Sequence, residues 1–292
     1  MNLNRRNLRN GLLFISPWII GFLCFTAYPM FSSLYYSMTE YNLISEPVFV
    51  GLENYKTLLF EDDLFYKVLG NTLYMIFIGL TVTTIITIFI AVILNTQGIK
   101  GMSFFRIVFF IPTLVPFVVL AILWIWVLQP ESGVVNSILG LVGLEGPGWF
   151  ASPTWAKPGF IVMAIWMSGN MILIYLAALG DIPKSLYEAA SIDGANVFRK
   201  VFHITLPGLR PAILFNCITG MIGVFQSFAE AFIITDGGPD NSTLFYSLYL
   251  YRNAFQYFEM GYASAQAWIL LVIALVMTMT FFKLSKKWGF ED

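Results

Sequence analysis

Charged residues are scarce in this sequence of 292 residues. Asp, Glu, Lys and Arg make up 11% of it, whereas soluble domains carry about 25%. Hydrophobic residues make up 58%, and the mean hydropathy is +0.75. This composition excludes an ordinary soluble domain and predicts a chain embedded in a lipid bilayer. The formal net charge of −1 gives no reason to expect nucleic acid or an acidic surface as a partner.

Cysteine and histidine are also rare, with two cysteines and one histidine in the whole sequence. Cys24 and Cys217 both fall within apolar stretches, and no second thiol stands near either of them. We therefore expect packing roles for both, rather than a disulfide or a metal site. His203 has no acidic or cysteine neighbours in its segment, which favours a solvated or docking role over catalysis or metal binding.

Motifs of several enzyme classes are missing. The sequence has no phosphate-binding loop of the Gly-x-x-x-x-Gly-Lys-Ser/Thr type, no Gly-x-Ser-x-Gly and no His-Glu-x-x-His. Paired carboxylates within the apolar stretches are lacking too. We therefore expect a non-catalytic chain that binds no cofactor or metal itself, so that any ATP must be hydrolysed by another polypeptide.

Long apolar stretches are what the sequence has in place of these motifs. A transmembrane helix needs about 20 apolar residues to cross roughly 30 Å of hydrocarbon. The sequence predicts an all-α integral membrane protein in which residues 1–292 form a single membrane domain. Its six transmembrane helices are predicted at about 12–37, 70–94, 107–128, 158–180, 211–235 and 264–283. The first stretch is too long for a signal peptide and lacks a small-residue cleavage site.

The basic residues are distributed unevenly between the two sides of these helices. If the amino terminus is inside, four basic residues lie outside: Lys56, Lys67, Lys157 and Arg252. Twelve lie inside: Arg5, Arg6, Arg9, Lys100, Arg106, Lys184, Arg199, Lys200, Arg210, Lys283, Lys286 and Lys287. Because Lys and Arg concentrate on the cytoplasmic side of membrane proteins, we predict that both termini are cytoplasmic.

Two segments between the stretches predict short helices on the outer side. Gly51-Leu52-Glu53-Asn54-Tyr55 indicates a turn followed by a short amphipathic helix, and residues 134–142 indicate a helix lying at the membrane surface. Four prolines fall inside predicted membrane helices: Pro17, Pro29, Pro112 and Pro116. They either kink helices around a cavity or are ordinary membrane prolines, and the sequence leaves both readings open.

The polar segment between the fourth and fifth stretches contains helix start and stop signals. Asp181 and Pro183 are residue types favoured at a helix start, and Gly194 is favoured just beyond a helix end. A second short helix is predicted over about 196–203, after which Pro207 begins the fifth membrane helix. Together these elements predict a helix-turn-helix projection on the inner face.

The same segment carries a longer pattern: Glu188-Ala189-Ala190, three residues, Gly194, nine residues, then Ile204-x-Leu206-Pro207. This pattern resembles the signature of the membrane subunits of binding-protein-dependent ABC importers, with every spacing matched. Other stretches resemble the sugar-permease branch, such as the maltose, raffinose and glycerol-3-phosphate types: Phe105-Arg106, Phe110-Ile111-Pro112, Asp181-Ile182-Pro183, Gly237-Gly238-Pro239 and Gly261-Tyr262-Ala263-Ser264-Ala265. The resemblance extends from about Pro17 to about Lys283.

This resemblance implies a fold, a location and a set of partners. The fold would be that of a type I ABC importer permease in a bacterial inner membrane, with residues 181–207 as a cytoplasmic loop that docks into an ATPase subunit. The residues assigned to that coupling are Glu188, Ala189, Ala190, Asp193, Gly194, Leu206 and Pro207. The partners would be a second, homologous permease chain, two ATPase copies that use ATP and magnesium, an external solute-binding protein and membrane lipid.

A substrate path is expected on the fourth and fifth helices. The sugar-binding positions of the maltose-type permease correspond to Met163, Trp166, Met167, Asn170, Gly220, Val224 and Ser227. Few of the residue types are kept, which leaves open a site that has moved, shrunk or passed to a partner subunit. Gln226 and Glu230 lie beside this stripe, and Glu230 suits either a solvated rim or a gating ion pair. Gly220 and Gly223 suit either substrate contact or tight helix packing.

The function indicated is import of a carbohydrate, a di- or oligosaccharide or a sugar derivative, driven by a separate ATPase. A secondary transporter of small polar solutes is the alternative, but it would need a coupling-ion site and usually inverted repeats, which we do not find in the sequence. An intramembrane enzyme is weaker still, because no catalytic constellation is present. The sequence does not identify the sugar.

Overall fold

The computed structural model describes residues 3–96 and 101–287, and these residues are predominantly helical. Lys100, one of the basic residues counted for orientation, lies outside the described residues. The α-helices are α1 Leu3–Phe22, α2 Tyr28–Tyr36, α3 Glu53–Phe60, α4 Asp63–Tyr74, α5 Thr81–Leu94, α6 Met102–Phe110, α7 Phe117–Val127, α8 Val134–Leu141, α9 Ala156–Trp166, α10 Gly169–Asp181, α11 Lys184–Ile192, α12 Val197–Lys200, α13 Leu206–Phe225, α14 Ala229–Ile234, α15 Tyr246–Tyr251 and α16 Met260–Lys287. A two-residue antiparallel hairpin pairs β1 Thr39–Glu40 with β2 Val48–Phe49.

Long apolar helices dominate these elements. Among the described residues, four helices are long and apolar enough to cross a membrane: Asn10–Tyr36, Asp63–Leu94, Val197–Phe225 and Met260–Ser285. Two further candidates are bent pairs, Met102–Leu114 with Phe117–Val127 and Ala156–Trp166 with Gly169–Asp181. If each bent pair is one span, the described part of the chain contains six spans.

The third span is bent by 106° between its halves. A 3₁₀ turn over Ile111–Leu114 ends at Val115, which is extended with φ −82° and ψ 133°. The cause is Pro116, because the ring of a proline clashes with a helical conformation of the residue before it. Pro116 therefore interrupts a helix here, whereas Pro17 lies inside α1.

The fifth span differs at both ends from the predicted range 211–235. Its helix begins at Val197, runs without a break to Phe225, and is separated from α14 by the non-helical residues around Ser227. It passes Pro207 through a π-helical turn, Val201–Thr205, in which the Leu206 amide donates to the Val201 carbonyl five residues back. This wider turn accommodates the proline without ending the helix.

The described residues divide into two compact units. In the unit formed by residues 3–63 and 250–272, Asn54 lies between α2 and the hairpin, where its amide Nδ2 donates to the carbonyls of Ser37 at 3.0 Å and Thr39 at 2.9 Å. Leu58 on α3 is completely buried. The predicted turn and helix are both present, with Gly51 at φ +66°.

The larger unit, within residues 64–249 and 273–287, contains α5, α10 and α13 packed together. Their contact forms an apolar cluster, which we call the inner cluster: Ala91, Leu94, Ile172, Tyr175, Leu179, Ile182, Leu209 and Ala212. Between membrane helices such packing is held by van der Waals contact and interhelical hydrogen bonds rather than by exclusion of water. The Arg106 guanidinium of α6 also donates to the Leu94 carbonyl at 2.8 Å, which satisfies a terminal carbonyl of α5.

Candidate functional site

The segment between α10 and α13 folds into an exposed helix, a glycine turn and a second helix. At the end of α11, the Ala195 amide donates to the Ala190 carbonyl at 2.8 Å and the Gly194 amide donates to the Ser191 carbonyl at 3.2 Å. These two bonds form a Schellman motif, which requires a left-handed residue just past the helix end. Gly194 occupies that position with φ +73°, a conformation that other residue types adopt at a cost.

The start of this segment differs from the sequence-based prediction. Asp181 does not cap α11, because it is the last residue of α10, and the residue that precedes α11 is Pro183 with no side-chain cap. Ile182 is extended at ψ 122°, as expected for a residue before proline. Asn196 does cap the next helix: its Oδ1 accepts a hydrogen bond of 2.9 Å from the Arg199 amide.

One partly buried contact joins the two helices of this segment. The hydroxyls of Tyr187 on α11 and Thr205 in the π turn are 2.9 Å apart. A second link, from Lys200 Nζ to Ser191 Oγ at 2.6 Å, is exposed to solvent. The Tyr187–Thr205 contact therefore joins α11 to the base of the long helix that continues into α13.

A cavity of about 330 Å³ lies within the larger unit. Its walls come from the π turn Met75–Leu80, α5, α9, α10, α13 and the segment around α14. Most lining groups are apolar, and the polar ones are Thr83, Ser168, Asn170, Ser227 and Glu230. Small-molecule sites commonly combine an apolar lining with a few polar groups that orient the ligand.

The break after α13 positions two of these polar groups. Gln226 ends α13, and the chain then turns into α14 with Glu230 in its first turn. The Ser227 hydroxyl donates to the Glu230 carboxylate at 3.0 Å. A hydroxyl and a carboxylate thus stand side by side at the wall of the cavity, where they can accept and donate hydrogen bonds to a polar solute.

Residues 83–287 match the family of binding-protein-dependent transport system inner membrane components. The chain belongs to this family. It is 42% identical over 288 residues to the probable ABC transporter permease protein YesP of Bacillus subtilis (strain 168), covering 97% of this chain and 93% of YesP. It is 36% identical over 276 residues to the arabinooligosaccharides transport system permease protein AraP of the same strain, covering 94% of this chain and 87% of AraP.

A solved structure agrees with this membership. The chain superimposes with a TM-score of 0.83 and 28% identity on a chain of the bacterial alginate ABC transporter in complex with alginate pentasaccharide-bound periplasmic protein, covering 98% of each chain. The predicted fold class, that of an ABC importer permease with membrane-spanning helices and an EAA loop, is confirmed. Like other permeases of its family, the chain is a non-catalytic, multi-pass membrane subunit.

In this permease the residues assigned to coupling lie together on the exposed loop. Glu188 and Ala189 are exposed on α11, Ala190 is half-buried, and Asp193 is the residue that ends the helix. Leu206 and Pro207 begin α13 and are half-buried against the loop. The prediction that the fifth membrane helix begins at Pro207 is wrong, because one continuous helix runs from Val197 through Pro207 to Phe225.

The permease brings most of the predicted path residues into one wall. Seven line the cavity: Met163, Met167, Asn170, Gly220, Val224, Ser227 and Glu230. Two do not line it: Trp166, whose ring packs edge-on against Trp124 at 5.7 Å, and Gln226, which is exposed. The sequence places Gln226 beside the stripe on the fifth helix, but α13 ends at Phe225 and the chain turns there, so Gln226 does not join the cavity wall.

Gly220 and Gly223 differ in how closely other atoms approach them. A Cβ on Gly220 would lie 2.5 Å from the Leu80 Cδ1 atom, so this glycine allows α13 to pack against the π turn. A Cβ on Gly223 would meet no atom within 4 Å, so Gly223 faces open space in the cavity wall. Packing therefore accounts for Gly220 and does not account for Gly223.

Sequence reasoning missed several residues of both sites. Cavity residues outside the predicted stripes, such as Met75, Thr83, Phe245 and, at the break between α9 and α10, Ser168, have no pattern that separates them from packing residues. On the loop, several large apolar side chains are highly exposed. Their presence in a polar segment beside the EAA motif was the signal that could have found them in the sequence. They are Leu186 at 50%, Ile192 at 88%, Val197 at 74%, Phe198 at 76% and Phe202 at 62% exposure.

Proposed function

We propose that this permease is a transmembrane subunit of an ATP-driven ABC importer that carries a carbohydrate, a di- or oligosaccharide or a sugar derivative, through the cavity described above. The observation that carries the proposal is the cavity itself, in which hydroxyl, amide and carboxylate groups stand among apolar and aromatic walls. A hydroxyl-rich solute needs such hydrogen-bonding groups beside apolar surface. The relatives named for arabinooligosaccharides and alginate support the same substrate class.

The coupling part of the proposal rests on the exposed loop. Exposed apolar side chains surround the EAA motif, and exposed apolar patches of this kind mark surfaces that contact a partner. We assign this surface to an ATPase subunit that binds ATP with magnesium, and we assign Glu188, Ala189, Ala190, Asp193, Gly194, Leu206 and Pro207 to the coupling. This permease itself takes no cofactor in the proposal.

The proposed complex contains two homologous permease chains, which we take to be different chains, two ATPase copies and an external solute-binding protein. The periplasmic protein bound in the alginate transporter structure supports the last of these partners. We place both termini of this chain in the cytoplasm. This orientation puts the coupling loop on the side of the ATPase and most of the basic residues on the cytoplasmic side, where Lys and Arg concentrate.

Uptake by the reconstituted complex tests this function. The permease is co-expressed with a sister permease, an ATPase and a solute-binding protein from the same organism, and uptake of labelled di- and oligosaccharides into proteoliposomes is measured. We expect uptake that requires ATP and every one of the other subunits. Uptake by this chain alone, driven by an ion gradient without ATP, would instead establish a secondary transporter.

A further inference from the structure

Three buried polar side chains lie beyond the end of the cavity that is nearer to the inner cluster. They are Thr84 on α5, Tyr175 on α10 and Asn216 on α13, with exposures of 7%, 0% and 2%. Each is one helical turn from a cavity residue: Thr84 follows Leu80, Tyr175 follows Met171, and Asn216 precedes Gly220. In the opposite direction, all three helices continue into the inner cluster.

The polar atoms of these side chains are left without hydrogen bonds. The Thr84 hydroxyl, the Tyr175 hydroxyl and the Asn216 Nδ2 have no hydrogen-bond partner among the residues that the structure describes. Thr84 and Asn216 both lie close to the Tyr175 hydroxyl, although neither makes a hydrogen bond of acceptable geometry with it. Burying polar groups without partners costs free energy, and buried groups in native proteins nearly always have partners.

By contrast, the next buried threonine on α5 is satisfied within its own helix. The Thr87 hydroxyl donates to the Thr83 carbonyl at 2.8 Å and lies 3.0 Å from the Thr84 carbonyl. The lack of partners is therefore a property of the layer formed by Thr84, Tyr175 and Asn216, not of buried polar residues on these helices in general.

We propose that Thr84, Tyr175 and Asn216 form a second binding station, which takes hydroxyl groups of the solute after it leaves the main cavity. This proposal rests on the proposed function. The station supplies two hydroxyls and an amide donor, from three helices, where the cavity meets the inner cluster, to which Tyr175 itself belongs. When the helices separate, a carbohydrate can exchange its hydrogen bonds in the cavity for bonds one turn further along, so it does not meet an apolar barrier without any polar contact.

Conservative substitutions in the assembled complex test the station. Thr84→Val and Tyr175→Phe remove only the unpartnered hydroxyls, and Thr84→Ser restores one of them. Thr87→Val is the matched control, because its hydroxyl is bonded within the helix. Carbohydrate uptake, ATP hydrolysis, subunit co-purification and the melting temperature of the complex are measured for each variant.

We expect uptake to fall by about tenfold in Thr84→Val and Tyr175→Phe, the effect of one lost hydrogen bond in a limiting step. Thr84→Ser and Thr87→Val should transport like the wild type. The melting temperature should stay the same or rise in Thr84→Val and Tyr175→Phe, because an unpartnered buried hydroxyl contributes nothing to stability. A purely structural role would show the opposite: lower stability together with lost assembly.

Wild-type uptake in Thr84→Val and Tyr175→Phe would overturn the station, and so would an equal loss in Thr87→Val. Failure of the unsubstituted complex to import any carbohydrate would overturn the proposed substrate class instead. The two failures are distinguishable, because the second appears in the wild-type complex before any substitution is made.

Discussion

At the scale of single residues, the shapes of the exposed loop and of the cavity wall each depend on one local feature of the chain. Gly194 adopts φ +73° because the Schellman motif at the end of α11 needs a left-handed residue. Ser227 reaches Glu230 because α13 ends at Gln226 and the chain turns there.

Gly194→Val is expected to abolish transport while leaving membrane insertion intact. A β-branched residue in the left-handed region costs about 1–2 kcal/mol, so the turn would rearrange and the exposed loop would lose its shape. Gly194→Asn is the matched control, since asparagine tolerates that conformation. Transport and ATP hydrolysis of the purified complex decide the matter, and wild-type values for Gly194→Val would refute the role of the turn.

Glu188→Lys is expected to weaken retention of the ATPase subunit and to abolish transport. Glu188 is exposed on α11 and free to pair with a basic or amide group of a partner. Losing such a pair and adding repulsion costs about 2–5 kcal/mol if the contact is desolvated. A pull-down of the ATPase measures the effect, with Glu188→Gln as an intermediate case. Full retention by the charge-reversed variant would exclude Glu188 from the interface.

Asn170→Leu and Ser227→Leu are expected to lower import by about tenfold or more, because each removes a hydrogen-bonding group from the cavity wall and adds bulk. Gln226→Leu is the control, since Gln226 neighbours Ser227 in sequence but does not line the cavity. Import is measured beside co-purification of the subunits. Normal import by both cavity variants would place the path elsewhere.

At the scale of helices, the unbroken fifth span and the bent third and fourth spans have different consequences. The helix Val197–Phe225 runs without a break from the exposed loop to the cavity, whereas the third and fourth spans are bent by 106° and 49°. A continuous helix transmits a displacement along its length. The bend of the fourth span lets Gly169 approach the third span closely: a Cβ there would lie 2.6 Å from the Phe109 carbonyl oxygen.

The contact between Tyr187 and Thr205 joins the loop to this continuous helix. Tyr187→Phe should therefore lower transport per ATP hydrolysed by about fivefold, the effect of a lost hydrogen bond worth about 1 kcal/mol. Ser191→Ala removes the second, exposed link to Lys200 and should change little, because water competes for that bond. If wild type and Tyr187→Phe transport the same amount of solute per ATP hydrolysed, the Tyr187–Thr205 contact has no part in coupling.

At the scale of the whole molecule, the charge distribution predicts one orientation in the membrane. In a chain with Cys24 and Cys217 replaced by serine, Glu46→Cys should react with an impermeant maleimide on intact cells, and Lys184→Cys only after permeabilisation. Both positions are exposed in the structure, whereas Asn54 is held by two hydrogen bonds and is less suitable. The reverse labelling pattern would invert the topology.

The sequence by itself determined the membrane class, the helical spans and the EAA loop. Apolar runs of fixed length and a motif of fixed spacing depend on local chemistry alone, so they can be found without a structure. The glycine at the turn after α11 was predictable for the same reason.

Only the tertiary structure decided how far the fifth helix extends and which residues line the cavity. The π turn before Pro207 and the end of α13 at Gln226 depend on packing with neighbouring helices. The cavity combines the predicted residues of the fourth and fifth helices with Ser168 at the break between α9 and α10, and with Thr83 and Phe245 from other parts of the chain. Whether a buried threonine such as Thr84 lacks a partner, while Thr87 has one, depends on three-dimensional neighbours that no spacing in the sequence records.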